Sequence, residues 1–193
     1  HERAELEQAL RLGERDGLRV VGVVGEPGIG KSRLVEDFAE LQRARGVMVT
    51  FTHCAEHARW VPFHTTVPFL RAAFGVRASD DPALVRERVT TMLRELDPAL
   101  LDTLPVIATA FGFADAAEAA RATTGSTPAR AFARILRALL DRHEPTEPVM
   151  FVVDDQQWMD PGADALFDEM VRNPSSVPVL VLVTYRRGHE RSW

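Results

Sequence analysis

A chain of 193 residues with 46% apolar content is long enough to bury one sizeable core. Its 23 basic and 28 acidic residues leave a net charge of −5 with no lysine-rich run, which argues against direct nucleic acid binding by this segment. A single cysteine excludes an intramolecular disulfide and suits a cytoplasmic setting, and no apolar stretch reaches the ~18 residues of a membrane span, so no membrane partner is expected.

The first predicted element is a helix over residues 3–16, with Leu6 and Leu10 inward and Ala9 beside them. Leu18-Arg19-Val20-Val21-Gly22-Val23-Val24 follows as a short apolar run suited to a buried strand. Gly25-Glu26-Pro27-Gly28-Ile29-Gly30-Lys31-Ser32 then fits the phosphate-binding pattern G-x-x-x-x-G-K-[ST] at every defined position. Leu34, Val35, Phe38 and Leu41 recur at helical spacing to about residue 45, so the pattern sits between a strand and a helix. That setting makes an anion cradle. The glycines permit close backbone approach, N–H groups at the helix start point inward, and the helix dipole favours negative charge. The expected nucleotide contacts are Glu26, Pro27, Gly28, Ile29, Gly30, Lys31, Ser32 and Arg33. Among them Lys31 would reach the β- and γ-phosphates, and the Ser32 hydroxyl would ligate Mg2+.

Gly46 suits a helix end, and Val47-Met48-Val49-Thr50-Phe51-Thr52 reads as a second strand. Helical stretches are then expected at roughly 64–75, 82–96, 98–111, 115–121 and 127–143. Pro82, Pro98 and Pro128 stand near helix starts, where a fixed φ and a missing N–H cost little. In the last stretch Phe132, Ile135, Leu136, Leu139 and Leu140 make an apolar face, and Arg130, Arg134 and Arg137 read as a solvated one. Thr123-Thr124-Gly125-Ser126 is the expected mobile loop. His53, Cys54, His57 and His64 carry donor atoms but lack a second cysteine pair, and Cys54 suits packing at a strand end. Trp60 and Trp158 are expected to pack against the helices of this region.

Val149-Met150-Phe151-Val152-Val153 is apolar on both faces, as a strand covered on both sides of a parallel sheet should be, and it ends in Asp154-Asp155. Carboxylates at such a tip lie where ligands bind. Asp154 is placed to hold Mg2+ and Asp155 to orient or deprotonate an attacking water, with N-capping of the next helix as the competing role for Asp155. Pro178-Val179-Leu180-Val181-Leu182-Val183 is a further buried run ending in Thr184-Tyr185-Arg186. A guanidinium at that tip suits sensing of the γ-phosphate, a solvated strand end being the plainer reading of Arg186.

Four segments carry a resemblance to a known family: Glu2-Arg3-Ala4-Glu5-Leu6; Gly25 to Leu34; Cys54 and Glu56 with Pro62-Phe63; and Asp154-Asp155-Gln156-Gln157-Trp158-Met159-Asp160-Pro161 followed later by Thr184-Tyr185-Arg186. Together they resemble the ATPase module of the signal-transduction ATPases with numerous domains (STAND), a subgroup of the AAA-related P-loop proteins. The likeness is greatest to modules of large bacterial LuxR-type regulators and multidomain nucleotide cyclases. Gln157 departs from it, standing where the family has histidine, as does His1, standing where it has arginine.

The resemblance implies an α/β, three-layer P-loop NTPase fold with a parallel sheet. The local strand order is 2-3-4-1, so that 178–183 lies between 19–24 and 149–153, with a helical insertion between strands 2 and 3. It implies ATP and Mg2+ as cofactors and slow hydrolysis to ADP. Lys31, Asp155 and Arg186 would be catalytic, Ser32 and Asp154 would hold the metal, and Glu2 and Arg3 would lie near the nucleoside. Residues 1–193 are then the P-loop NTPase domain of a longer nucleotide-binding module, whose fifth strand, lid and winged-helix regions lie beyond this segment. Attached effector domains and nucleotide-dependent self-association follow as partners. Two other function classes are a nucleotide-gated scaffold with negligible turnover and a small-molecule kinase, and the Asp-Asp-Gln-Gln-Trp box argues against the kinase.

Overall fold

The four apolar runs become four strands because each is too short for a stable helix of its own and rich in β-branched residues. In the computed structural model, which describes residues 2–16, 18–124, 127–143, 148–174 and 177–189, these are β1 (Leu18–Val24), β2 (Met48–His53), β3 (Val149–Asp154) and β4 (Val179–Tyr185). They form one parallel sheet in the order β1-β4-β3-β2, the order expected from the motifs. Every pairing is in register, with Gly22 opposite Val183 and His53 opposite Asp154. β3 and β4 are central and buried along nearly their whole length, whereas β1 and β2 are edges among the described residues and only partly covered.

Among the described residues eight α-helices accompany the sheet: α1 (Glu2–Asp16), α2 (Lys31–Ala44), α3 (Thr66–Ala73), α4 (Pro82–Leu96), α5 (Leu104–Phe111), α6 (Ala116–Thr124), α7 (Pro128–Leu140) and α8 (Pro161–Arg172). Strand alternation divides the core in two. On one face Met150, Val152, Leu180 and Leu182 pack with Leu6 and Leu10 of α1 and with Val35, Phe38 and Ala39 of α2. On the other, Phe151, Val153, Val181 and Val183 meet the larger helical layer, including Leu70, Ile107, Phe132, Ile135 and Leu166. Helices α3 to α7 are the insertion between β2 and β3.

The helix starts at Pro82, Pro98, Pro128 and Pro161 follow one local rule, an oxygen-bearing cap before a proline. Asp81 accepts from Ala83 N and Leu84 N ahead of Pro82, Asp97 from Ala99 N ahead of Pro98, and Thr127 from Arg130 N ahead of Pro128. Asp160 accepts from Ala163 N ahead of Pro161. That last helix, α8, is given no range among the predicted elements. Its signal was present in Asp160-Pro161 followed by Ala163, Leu166, Phe167 and Met170. The predicted helix 98–111 divides into a 3-10 segment, Pro98–Thr103, and α5. Pro105 has no N–H to carry an α-helical bond back into the preceding turn. Helix α6 runs through Thr124, which takes Thr123 and Thr124 out of the expected loop, and Gly125 and Ser126 lie outside the described residues. Trp60 also departs from expectation: it is 75% exposed rather than packed. Arg134 is tied to Asp102 at 2.8 and 2.9 Å, which makes it a clamp between α7 and the 3-10 segment.

The insertion has its own electrostatic anchor. Arg86 of α4 grips Glu118 of α6 bidentately at 2.7 and 2.6 Å, and Glu118 also accepts from Asp115 N at 3.1 Å. The Arg86 hydrogen bonds hold the buried Glu118 carboxyl well below its ordinary 4.5, at about 2. A depressed carboxyl stabilises the fold fully above its unfolded value, and that contribution is lost as the pH falls through its folded value. The urea midpoints of wild type and Glu118→Gln should therefore differ most above pH 4.5 and converge toward pH 2. Arg86→Ala at neutral pH should cost about 2–3 kcal/mol, less than a wholly buried pair because Arg86 is itself 38% exposed.

Candidate functional site

β1 delivers the chain into the glycine loop, and Gly25 N still donates to Tyr185 O at 3.4 Å, prolonging the β1–β4 ladder. Gly28 and Gly30 then adopt φ of 78° and 101°. A Cβ at either would meet nothing within 4 Å, so it is the left-handed backbone rather than lack of space that requires glycine. Gly30 is the N-cap of α2, and its carbonyl accepts from Leu34 N at 3.0 Å. The next N–H groups belong to the first helical turn, which has no partners for them within the helix. Lys31 is buried to 9% exposure, and its Nζ donates to Gly25 O at 3.0 Å and Glu26 O at 3.1 Å. An ammonium has three N–H donors, so one remains for a phosphate oxygen over the loop.

The strand tips meet this loop from below. Asp154 is 3% exposed, and its Oδ1 accepts from Thr184 Oγ1 at 2.6 Å and from Ser32 Oγ at 3.0 Å. Its Oδ2 lies 3.1 Å from His53 Nδ1. Asp155 makes the turn out of β3 at φ 56°, a left-handed conformation that Asp tolerates better than most residues. Its N–H donates to Thr184 Oγ1 at 2.9 Å, and its Oδ1 accepts from Gln157 Nε2 at 2.8 Å. Asp155 gives no side-chain cap to the 3-10 segment Gln156–Trp158, and α8 is capped by Asp160 instead. The sequence placed Thr184 at the tip of the last strand but did not link it to the two aspartates. Its one hydroxyl both donates to Asp154 and accepts from the Asp155 backbone, fixing the two carboxylates relative to each other.

Two clefts flank the loop. One, about 430 Å³, is lined by Pro27, Gly28, Gly30, Lys31, Ser32, Arg33, Glu36, Asp155 and Arg186. Arg186 thus shares a space with the loop although 154 lies deeper, and its guanidinium stands 5.9 Å from the centre of the Trp158 ring. The other, about 370 Å³, is bounded by Glu2, Glu5 and Leu6 of α1, by Val21 to Val24, and by Ile29 and Leu34. Both clefts share Gly30 and Lys31, so a phosphate chain on the loop would leave its other end beside α1. Glu26 contributes its carbonyl to Lys31, and the Arg33 side chain is 86% exposed, with Asp37 4.0 Å away. Cys54 is close by but inert as a nucleophile: burial first, then Asp160, Asp154 and Asp155, push its thiol up to about 12. Among the described residues no group of three or more His, Cys, Asp or Glu comes together for a metal ion.

A glycine loop between a strand and a helix, whose serine meets a carboxylate on the tip of a non-adjacent parallel strand, defines a P-loop nucleoside triphosphatase. The chain belongs to the AAA ATPase domain family, which it matches over residues 1–183. Membership implies ATP binding and hydrolysis. The chain is also similar to an uncharacterized protein of Rhizobium meliloti (strain 1021), with 26% identity over 179 residues that cover 90% of this chain and 17% of that protein. It therefore spans only a small part of the length of that relative.

Proposed function

We propose that this chain is the nucleotide-operated switch of a STAND-type signalling or transcription-regulatory protein, binding ATP with Mg2+ and hydrolysing it slowly. The observation that carries the reading is the 3.0 Å contact between Ser32 Oγ and Asp154 Oδ1. It sets two hard oxygen donors side by side beneath the phosphate cradle, a donor set that suits Mg2+, which takes few protein ligands and completes its shell from phosphates and water. When bound, Mg2+ neutralises charge on the β- and γ-phosphate oxygens. Lys31 and the loop amides hold those phosphates, Asp155 orients the attacking water, and Arg186 meets the γ-phosphate from the end of β4.

Slow turnover has a structural argument of its own. Asp155 Oδ1 is engaged by the amide of Gln157, which cannot relay a proton as an imidazole can. The same contact is what favours the second reading, a nucleotide-gated scaffold with negligible hydrolysis. The parent chain on this proposal is cytoplasmic and longer, with effector domains and a lid that closes on the nucleotide, and its nucleotide state controls self-association. The greater length of the Rhizobium relative supports that view. Single-turnover phosphate release from purified protein separates the two readings. The switch reading expects slow release above the Asp155→Asn background, and faster release from the longer parent chain. Release equal to that background would leave the scaffold.

A further inference from the structure

We infer that His53 is a positioning residue for Asp154, holding the carboxylate so that Oδ1 faces the Ser32 hydroxyl and is ready for Mg2+. The inference rests on the proposed role of Asp154 as metal holder. His53 closes β2 directly opposite Asp154 at the end of β3, so the register sets imidazole and carboxylate side by side. The Nδ1 to Oδ2 separation is 3.1 Å. A carboxylate only accepts, so Nδ1 carries the hydrogen. With Thr184 and Ser32 on Oδ1 and His53 on Oδ2, both oxygens are engaged and the carboxylate cannot rotate without breaking bonds.

The ring is itself held. Phe51, two residues earlier on the same strand, lies 4.7 Å away centre to centre, and Cys54 N donates to Asp154 O at 2.9 Å just beyond. Glu36 Oε1 of α2 stands 3.7 Å from Nε2, too far for a hydrogen bond. The His53 side chain is 62% exposed, so it adds little to the core. A side chain that packs little yet orients the central carboxylate of the site is placed for function. Partners of this kind, one bond removed from a metal, typically change metal affinity by about 10–100-fold when removed.

The test titrates Mg2+ against binding of a fluorescent ATP analogue to the whole chain, for wild type, His53→Ala, His53→Asn and Asp154→Asn, with ligand-free melting temperatures alongside. His53→Ala should raise the Mg2+ concentration for half-maximal effect by about 10–100-fold. It should leave analogue binding in EDTA and the melting temperature near wild type, and His53→Asn, which keeps an N–H donor, should recover most of the loss. A wild-type Mg2+ response in His53→Ala beside a lost response in Asp154→Asn would overturn the inference and leave the metal assignment standing. A wild-type response in Asp154→Asn would overturn both. Equal losses in both His53 variants with lowered melting temperatures would make His53 a structural residue only and overturn the positioning role.

Discussion

Lys31→Ala should abolish the stabilisation that ATP confers while leaving the ligand-free fold nearly as stable as wild type. For the wild type, ATP at ~100 times its dissociation constant adds about 2.7 kcal/mol, roughly 5–10 °C in melting temperature for a domain of this size. The mutation removes the only side-chain ammonium among the residues lining the phosphate cleft. It also frees the carbonyl of the exposed Glu26, which water can take over, and that of the buried Gly25, which water reaches only through the space the side chain vacates. The fold should therefore lose about 1 kcal/mol or less. A thermal-shift comparison decides the matter, and equal ATP-induced shifts in mutant and wild type would remove Lys31 from the site.

Asp155→Asn should bind ATP and Mg2+ normally and hydrolyse ATP about 10²–10⁴-fold more slowly, the usual worth of a positioned base. The substitution is unusually clean here. Asparagine accepts the left-handed φ of 56°, its backbone N–H can still donate to Thr184, and its amide oxygen can still accept from Gln157. What disappears is the charge and basicity facing the cleft. Asp154→Asn acts differently, because its carboxylate is buried and takes donors on both oxygens. Asparagine there removes the negative charge that would hold the metal, so the Mg2+ requirement itself should be lost. Nucleotide affinity with and without Mg2+, together with single-turnover rates for both variants, distinguishes the two roles. Unchanged hydrolysis in Asp155→Asn would move the water-orienting function to another residue.

Much of this was legible from local spacing alone. The glycine loop announces its left-handed positions, and the run Val149 to Val153, apolar on both faces, announces a central strand that the structure buries throughout. The prolines Pro82, Pro98 and Pro128 marked helix starts to within one residue. Three features escaped for identifiable reasons. Pro105 interrupts a helical pattern that periodicity alone would continue, and α8 was hidden because Asp160-Pro161 read as the end of a motif rather than the start of a helix. Trp60 has a core residue's chemistry but stands two residues past the 3-10 segment Glu56–Ala58, 75% exposed, with the Arg59 guanidinium 4.5 Å from its ring centre.

The candidate site divides along the same line. By itself the sequence determined the residue types and where each lies along its own element: Lys31 and Ser32 at a helix start, Asp154 and Asp155 at one strand end, Arg186 just past another. Those depend on interactions within a few residues, which spacing of 2 or 3.6 records directly. Only the tertiary structure decided who faces whom. Ser32 reaches Asp154 across 122 residues of sequence, His53 across 101 and Thr184 across 30. Each of these contacts exists because β4 lies between β1 and β3 and β2 pairs with β3 in one register, a choice made by burying both faces of the central strands at once.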